Sequence, residues 1–212
     1  MFPLAKVLHV LAVALWFGAG LFFTFVVGLS LSDTFEKETA VPSGERPFWL
    51  PAPRDLEKAR PSERFPDPLL KEQGSRIFGA AVGPMFRPYY ILQVACGALA
   101  VLTGLAWWGR GGVHPWRVVV LVLALAGAGV GWWLEREVEA LREERSKASD
   151  VVLKGESPSA AEVRVADEAR EKFGLWHTYS LFANFGTLAL VTAAMVMAAF
   201  LPPREPLSRA SV

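Results

Sequence analysis

Four long apolar runs, separated by charged segments, leave this chain few ways to fold. They extend over roughly Leu4 to Leu31, Pro84 to Trp108, Trp116 to Leu134 and Leu175 to Leu201. Each supplies about the twenty residues that cross ~30 Å of hydrocarbon at ~1.5 Å per residue. A helix satisfies its own backbone hydrogen bonds in lipid, whereas an isolated strand leaves its edges unpaired. The expected fold class is therefore an all-α membrane protein, an antiparallel four-helix transmembrane bundle. At 52% hydrophobic residues and a mean hydropathy of +0.30, the chain is too apolar for an ordinary soluble domain of 212 residues. The formal net charge of +1, with no basic stripe carrying interleaved aromatics, argues against a nucleic-acid partner.

The first run has the early cation Lys6 and is too long for a signal h-region; no A-x-A cleavage site follows it, so it is expected to be retained as a span. The lone Cys96 cannot form an intrachain disulfide and reads as a small packing residue. Interfacial aromatics support the boundaries, with Trp107, Trp108 and Trp116 at one face and Tyr89, Tyr90, Trp132, Trp133, Trp176 and Tyr179 at the other. Small residues recur within spans, notably Gly97, Gly104 and the Gly127-x-x-x-Gly131 pair, where helices can approach closely.

The resulting organisation is helix 1 over residues 1–31, a proline-rich connection over 32–83, helix 2 over 84–108, helix 3 over 116–134, a charged hairpin over 135–174, helix 4 over 175–201 and a tail over 202–212. The first connection holds Pro42, Pro47, Pro51, Pro53, Pro61, Pro66 and Pro68, a density that blocks continuous helix. Its later part, Asp67 to Gly79, is compatible with a short amphipathic helix along the interface. In the second connection Leu134, Val138 and Leu141, then Val163, Ala166, Ala169 and Phe173, keep helical spacing on either side of a breaker at Lys154–Pro158. Spans three and four thus extend into a helical hairpin, with Ser157 or Ser159 as the cap of its second arm. Most Lys and Arg lie in or beside the two long connections, which the positive-inside rule puts in the cytoplasm, with both termini opposite.

Polar groups inside spans are costly, so each is a candidate for function. His9 and His114 fall toward the side of the termini; His177 falls toward the other side, about 20–25 Å from His9 along the membrane normal. His9 and His114 can therefore share a haem b or a metal ion, while His9 and His177 cannot. The alternative is that His9 hydrogen-bonds a neighbouring helix and His114 is wetted by the interface. A denser set collects at the opposite end: Arg87, Tyr89, Tyr90, Gln93, Glu135, His177, Ser180 and Asn184. His177, Ser180 and Asn184 share a helix face, and Arg87 and Glu135 are opposite charges at similar depth. This is either a polar pocket or a network that pins helix register. No phosphate-binding loop, Rossmann glycine pattern, HExxH, CxxC pair or catalytic triad is present.

At these residues the sequence resembles the transmembrane protein 205 family of four-span membrane proteins. The likeness runs through Leu8-His9, Trp16-Phe17-Gly18, Thr24-Phe25-Val26 and Gly28, then Ile77-Phe78-Gly79, Met85 to Tyr90, Trp133-Leu134-Glu135, Phe173 to His177, Ser180 and Asn184. It departs from about Thr34 to Asp67, which looks like an insertion. The opening His9-x6-Trp16-Phe17-Gly18 also resembles four-helix membrane proteins of the copper-resistance and haem-biosynthesis type. Three functional classes follow as expectations: a non-enzymatic scaffold or transport-related factor, a haem- or metal-binding redox protein, and an oligomeric channel or transporter. The expected partners are the lipid bilayer and a second copy or another membrane protein.

Overall fold

The structure, a computed structural model, describes residues 2–40, 68–154 and 158–201. Among them every regular element is helical. We label the α-helices α1 (Phe2–Leu21), α2 (Leu31–Ala40), α3 (Pro68–Gly104), α4 (His114–Lys154) and α5 (Ala160–Ala198). A π-helical stretch, Phe22–Ser30, joins α1 to α2, and a 3₁₀ segment, Leu105–Arg110, ends α3. The π register is visible in Ser30 Oγ, which donates to the carbonyl of Phe25 five residues back at 3.1 Å. Four helical segments are long and apolar enough to cross a membrane: Pro3–Glu38, Gly74–Arg110, His114–Val152 and Ala160–Ala198.

The connection expected over 32–83 is shorter than its composition implied. Helix continues to Ala40 and resumes at Pro68, so Asp67–Gly79 is not a separate interfacial element but, from Pro68, the start of α3. The prolines explain the difference. They are confined to 42–68, and the flanks carry none; α2 instead holds an i, i+4 pair between Lys37 and Asp33 at 2.6 Å. Pro68 occupies a first helical position, where no backbone donor is needed. The middle of the loop lies outside the described residues. The sequence places a helix start at Pro84, yet α3 runs through both Pro84 and Pro88.

The chain divides into two compact units. The first comprises Met1–Leu21, Tyr89–Val130 and Ala183–Val212; the second comprises Phe22–Pro88 and Gly131–Phe182. The core of the first unit is Ala12, Val13, Trp16, Cys96, Ala100, Leu121, Ala124, Ala128, Val191 and Ala194. Small side chains dominate it, which lets the helix backbones approach closely. Its surface is studded with exposed Leu4, Leu11, Leu102, Leu123 and Val196, side chains that water would disfavour and lipid tails accept. Gly111 and Gly112 turn the chain from the 3₁₀ segment into α4, with φ of 69° and 61°, a region that L side chains rarely enter.

In the second unit, α4 and α5 continue as long charged helices that share a small apolar cluster: Val152 and Ala166 are buried, with Ala148 and Val163 packed on them. Of the two serines considered as caps, Ser159 does the work. Its Oγ accepts from the Glu162 amide at 3.3 Å, and its own amide donates to Glu162 Oε2 at 2.7 Å, a reciprocal capping box. Ser157 lies outside the described residues. Ser159→Ala is expected to cost about 1 kcal/mol, seen as faster amide exchange over Ala160–Val163 with the rest of the helix unchanged.

Candidate functional site

The eight polar residues expected at one mouth fall in both units. Tyr89, Tyr90, Gln93 and Asn184 belong to the first. The Tyr89 hydroxyl donates to Asn184 Oδ1 at 2.9 Å, and Tyr90 lies against the Tyr89 ring at 5.3 Å between centroids. Gln93, 2% exposed, accepts through Oε1 a hydrogen bond of 3.1 Å from the Trp16 indole. Trp16, Gly20, Tyr89, Gln93, Asn184 and Thr187 line a narrow cleft whose free space suits a water molecule rather than a substrate. Buried tyrosine, tryptophan and glutamine thus satisfy one another, as buried polar groups must.

Arg87, Glu135, His177 and Ser180 belong to the second unit. Arg87 is exposed. The partner recorded for Glu135 is Arg142, whose Nη2 lies 3.4 Å from Glu135 Oε1, rather than the Arg87 suggested by depth. His177 stacks on Phe173 with an interplanar angle of 6° and 5.6 Å between centroids. The Phe173 ring also carries the Arg145 guanidinium, 4.4 Å from its centroid. Arg145 donates to Ser75 Oγ at 3.2 Å, and Arg76 reaches Asp150 and, at 3.1 Å, the Ser146 carbonyl. Arg142 and Arg145 escaped the sequence reading because a charged hairpin reads as a solvated surface. The signal available was Gly79-x-x-x-Gly83: a Cβ at Gly79 would stand 3.1 Å from Arg142 Cδ.

His9 and His114 both lie in the first unit, and the structure supplies what joins them. His9 is fully buried, and its Nδ1 lies 3.0 Å from the Ala100 carbonyl and 3.0 Å from Thr103 Oγ1. A carbonyl only accepts, so Nδ1 carries the proton and Nε2 is the free nitrogen. Nε2 has no hydrogen-bond partner, nor has Nδ1 of His114. The residue that sequence reasoning missed is Arg117. It is 0% exposed, and none of its guanidinium nitrogens has a hydrogen-bond partner. Its Cζ sits 5.5 Å from the Trp107 ring, which His9 also meets at 5.8 Å between centroids. Arg117 acts electrostatically on both imidazoles, and Arg110 acts on His114.

No protein family, curated protein or solved structure compared with this chain matches it. The site is therefore read from its own chemistry. Among the described residues no group of three or more His, Cys, Asp or Glu is placed to hold a metal ion. His9 and His114 have a fixed cation for a neighbour, so a second positive ion between them meets repulsion. An anion meets attraction.

Proposed function

We propose that this is a four-span, antiparallel integral membrane protein with a non-catalytic role, as a scaffold or transport-related factor, with its long charged connections in the cytoplasm. The single observation that carries the non-catalytic part is the fate of the polar groups within the spans. Trp16 with Gln93, Tyr89 with Asn184, and His9 with Ala100 and Thr103 form local pairs, leaving a cleft with space for water only. Such pairs fix helix register, a structural use of polarity in lipid. The likeness to transmembrane protein 205 chains fits the same reading. The haem or metal role considered for His9 and His114 is supported less, because Arg117 puts a permanent positive charge beside both.

Topology is the experiment. Cys96 is buried and is the one cysteine of the sequence, so Cys96→Ser gives a background without native thiols. Gly109→Cys places a thiol where no atom crowds it, and Lys147→Cys places one at a side chain that is 80% exposed. With a membrane-impermeant maleimide, position 109 is expected to label on intact cells and position 147 only after permeabilisation. The opposite pattern overturns the orientation. Labelling of both from one side overturns the four-span reading itself.

A further inference from the structure

The buried Arg117 raises a question that the proposed function does not answer: what neutralises it. Arginine keeps its charge in any protein environment, and a desolvated, unpaired guanidinium is strongly disfavoured. The described part of the first unit offers no carboxylate. Among its described residues it contains no Asp or Glu at all, and its other Lys and Arg side chains are Lys6 and Arg110. The Trp107 ring beside Arg117 supplies a face for the cation but no acceptor oxygen.

We propose that Arg117, flanked by His9 and His114, is a recognition site for a phosphate monoester, presented by the headgroup of an anionic membrane lipid. The chemistry of the unpartnered atoms selects the ligand. Arg117 brings guanidinium donors in a rigid fork that fits phosphate oxygens. His9 brings the reverse, a bare Nε2 lone pair that needs a donor, because its Nδ1 proton is committed to Ala100. An ionised carboxylate accepts only and leaves Nε2 unsatisfied. A phosphate monoester, with a second ionisation near pH ~6, keeps a minority monoanion at neutral pH that accepts through its P–O⁻ oxygens and donates through one P–OH, and a bare Nε2 selects that form. His114 Nδ1 adds another unpartnered ring nitrogen at the rim, where the residue is 9% exposed.

Position points to a lipid rather than a free ion. The cluster lies at the start of α4, beside the Gly111–Gly112 turn, and exposed Trp108 and Trp116 flank that turn. Exposed indoles next to a span mark headgroup depth.

The test is thermal unfolding of the full chain in neutral micelles, titrated with phosphatidic acid, phosphatidylcholine, inorganic phosphate or acetate. Phosphatidic acid is expected to raise the transition, with phosphatidylcholine and acetate inert. Arg117→Met is expected to fold and to need at least about tenfold more phosphatidic acid for the same shift. Arg110→Gln is the control for surface charge and is expected to keep most of the response. Inorganic phosphate matching phosphatidic acid would keep the phosphate site but overturn its lipid source. Acetate matching it, or loss of the response in Arg110→Gln with retention in Arg117→Met, overturns the proposal. So does a wild-type chain that ignores phosphatidic acid, whatever the variants do. Glu205 lies in the tail after Leu201, whose carbonyl is 3.5 Å from Lys6 Nζ. If Glu205→Gln lowers the transition of the lipid-free chain and Arg117→Met abolishes that difference, the counter-ion is internal and the lipid site falls.

Discussion

Gly97→Ala is expected to destabilise the first unit by about 1–3 kcal/mol, although alanine is the better helix former. A Cβ at this position would stand 2.8 Å from Trp16 Cη2, 3.0 Å from Trp16 Cζ3 and 2.9 Å from Leu125 Cδ1. The tryptophan cannot easily yield. It is 1% exposed, packed in the core, and tied by its indole to Gln93. Gly18→Ala is the matched control: it too is helical, but nothing lies within 4 Å of its Cβ position. It is expected to be neutral or to gain up to about 1 kcal/mol from propensity. Trp16→Leu should relieve part of the Gly97→Ala penalty, so the two substitutions are non-additive. Denaturation midpoints in micelles read all four variants. Equal midpoints for Gly97→Ala and Gly18→Ala would remove the close contact from the account.

The same core shows what was legible in the sequence. Apolar runs of bilayer length specify helices without reference to anything else in the chain, so the four long helical segments followed directly. Gly97 was legible as a small residue for close approach, and Gly127 likewise: a Cβ there would fall 2.6 Å from Thr187 Oγ1. Which side chain fills the space next to such a glycine depends on tertiary register, which the sequence does not print. The proline-rich connection was drawn too wide because proline density was averaged over flanks that contain none. The sequence places the start of helix 2 at Pro84, yet a helix flanked by other helices accommodates a missing amide donor.

Site residues were legible in type but not in pairing. His9 read either as a ligand or as a partner of a neighbouring helix, and the structure gives it Ala100 and Thr103. Depth alone matched Glu135 with Arg87, whereas helical position brings Arg142, two turns on, to the same carboxylate. Arg117 was hidden by its setting. Between Trp116 and a valine run it has the sequence setting of any Lys or Arg at a helix end, and only the packing around Trp107 takes it out of water. The absence of acids from the surrounding helices was the available clue, since it leaves a buried cation without a local partner.

Arg142→Met is expected to cost the second unit about 3 kcal/mol, within the range for removing one partner of a buried pair. The side chains of Arg142 and Glu135 are 20% and 9% exposed, so water screens neither well. Losing the arginine leaves the more buried carboxylate without its counter-charge and withdraws the guanidinium from Gly83, while the methionine stem still fills the space beside Gly79. Glu135→Gln should cost less, because Arg142 keeps the glycine groove and the greater exposure. The double variant Glu135→Gln/Arg142→Met is expected to recover a large part of the single Arg142→Met loss, since neutral groups of similar size replace a buried pair at little net cost. Denaturation midpoints of the four proteins give the coupling. If Arg142→Met alone were neutral, or if the two losses simply added, the pair would be a surface ornament. The glycines at 79 and 83 would then need another reason for their size. Recovery in the double variant instead puts the cost of Arg142→Met in the buried carboxylate left on α4, not in the arginine stem that lies against Gly79 of α3.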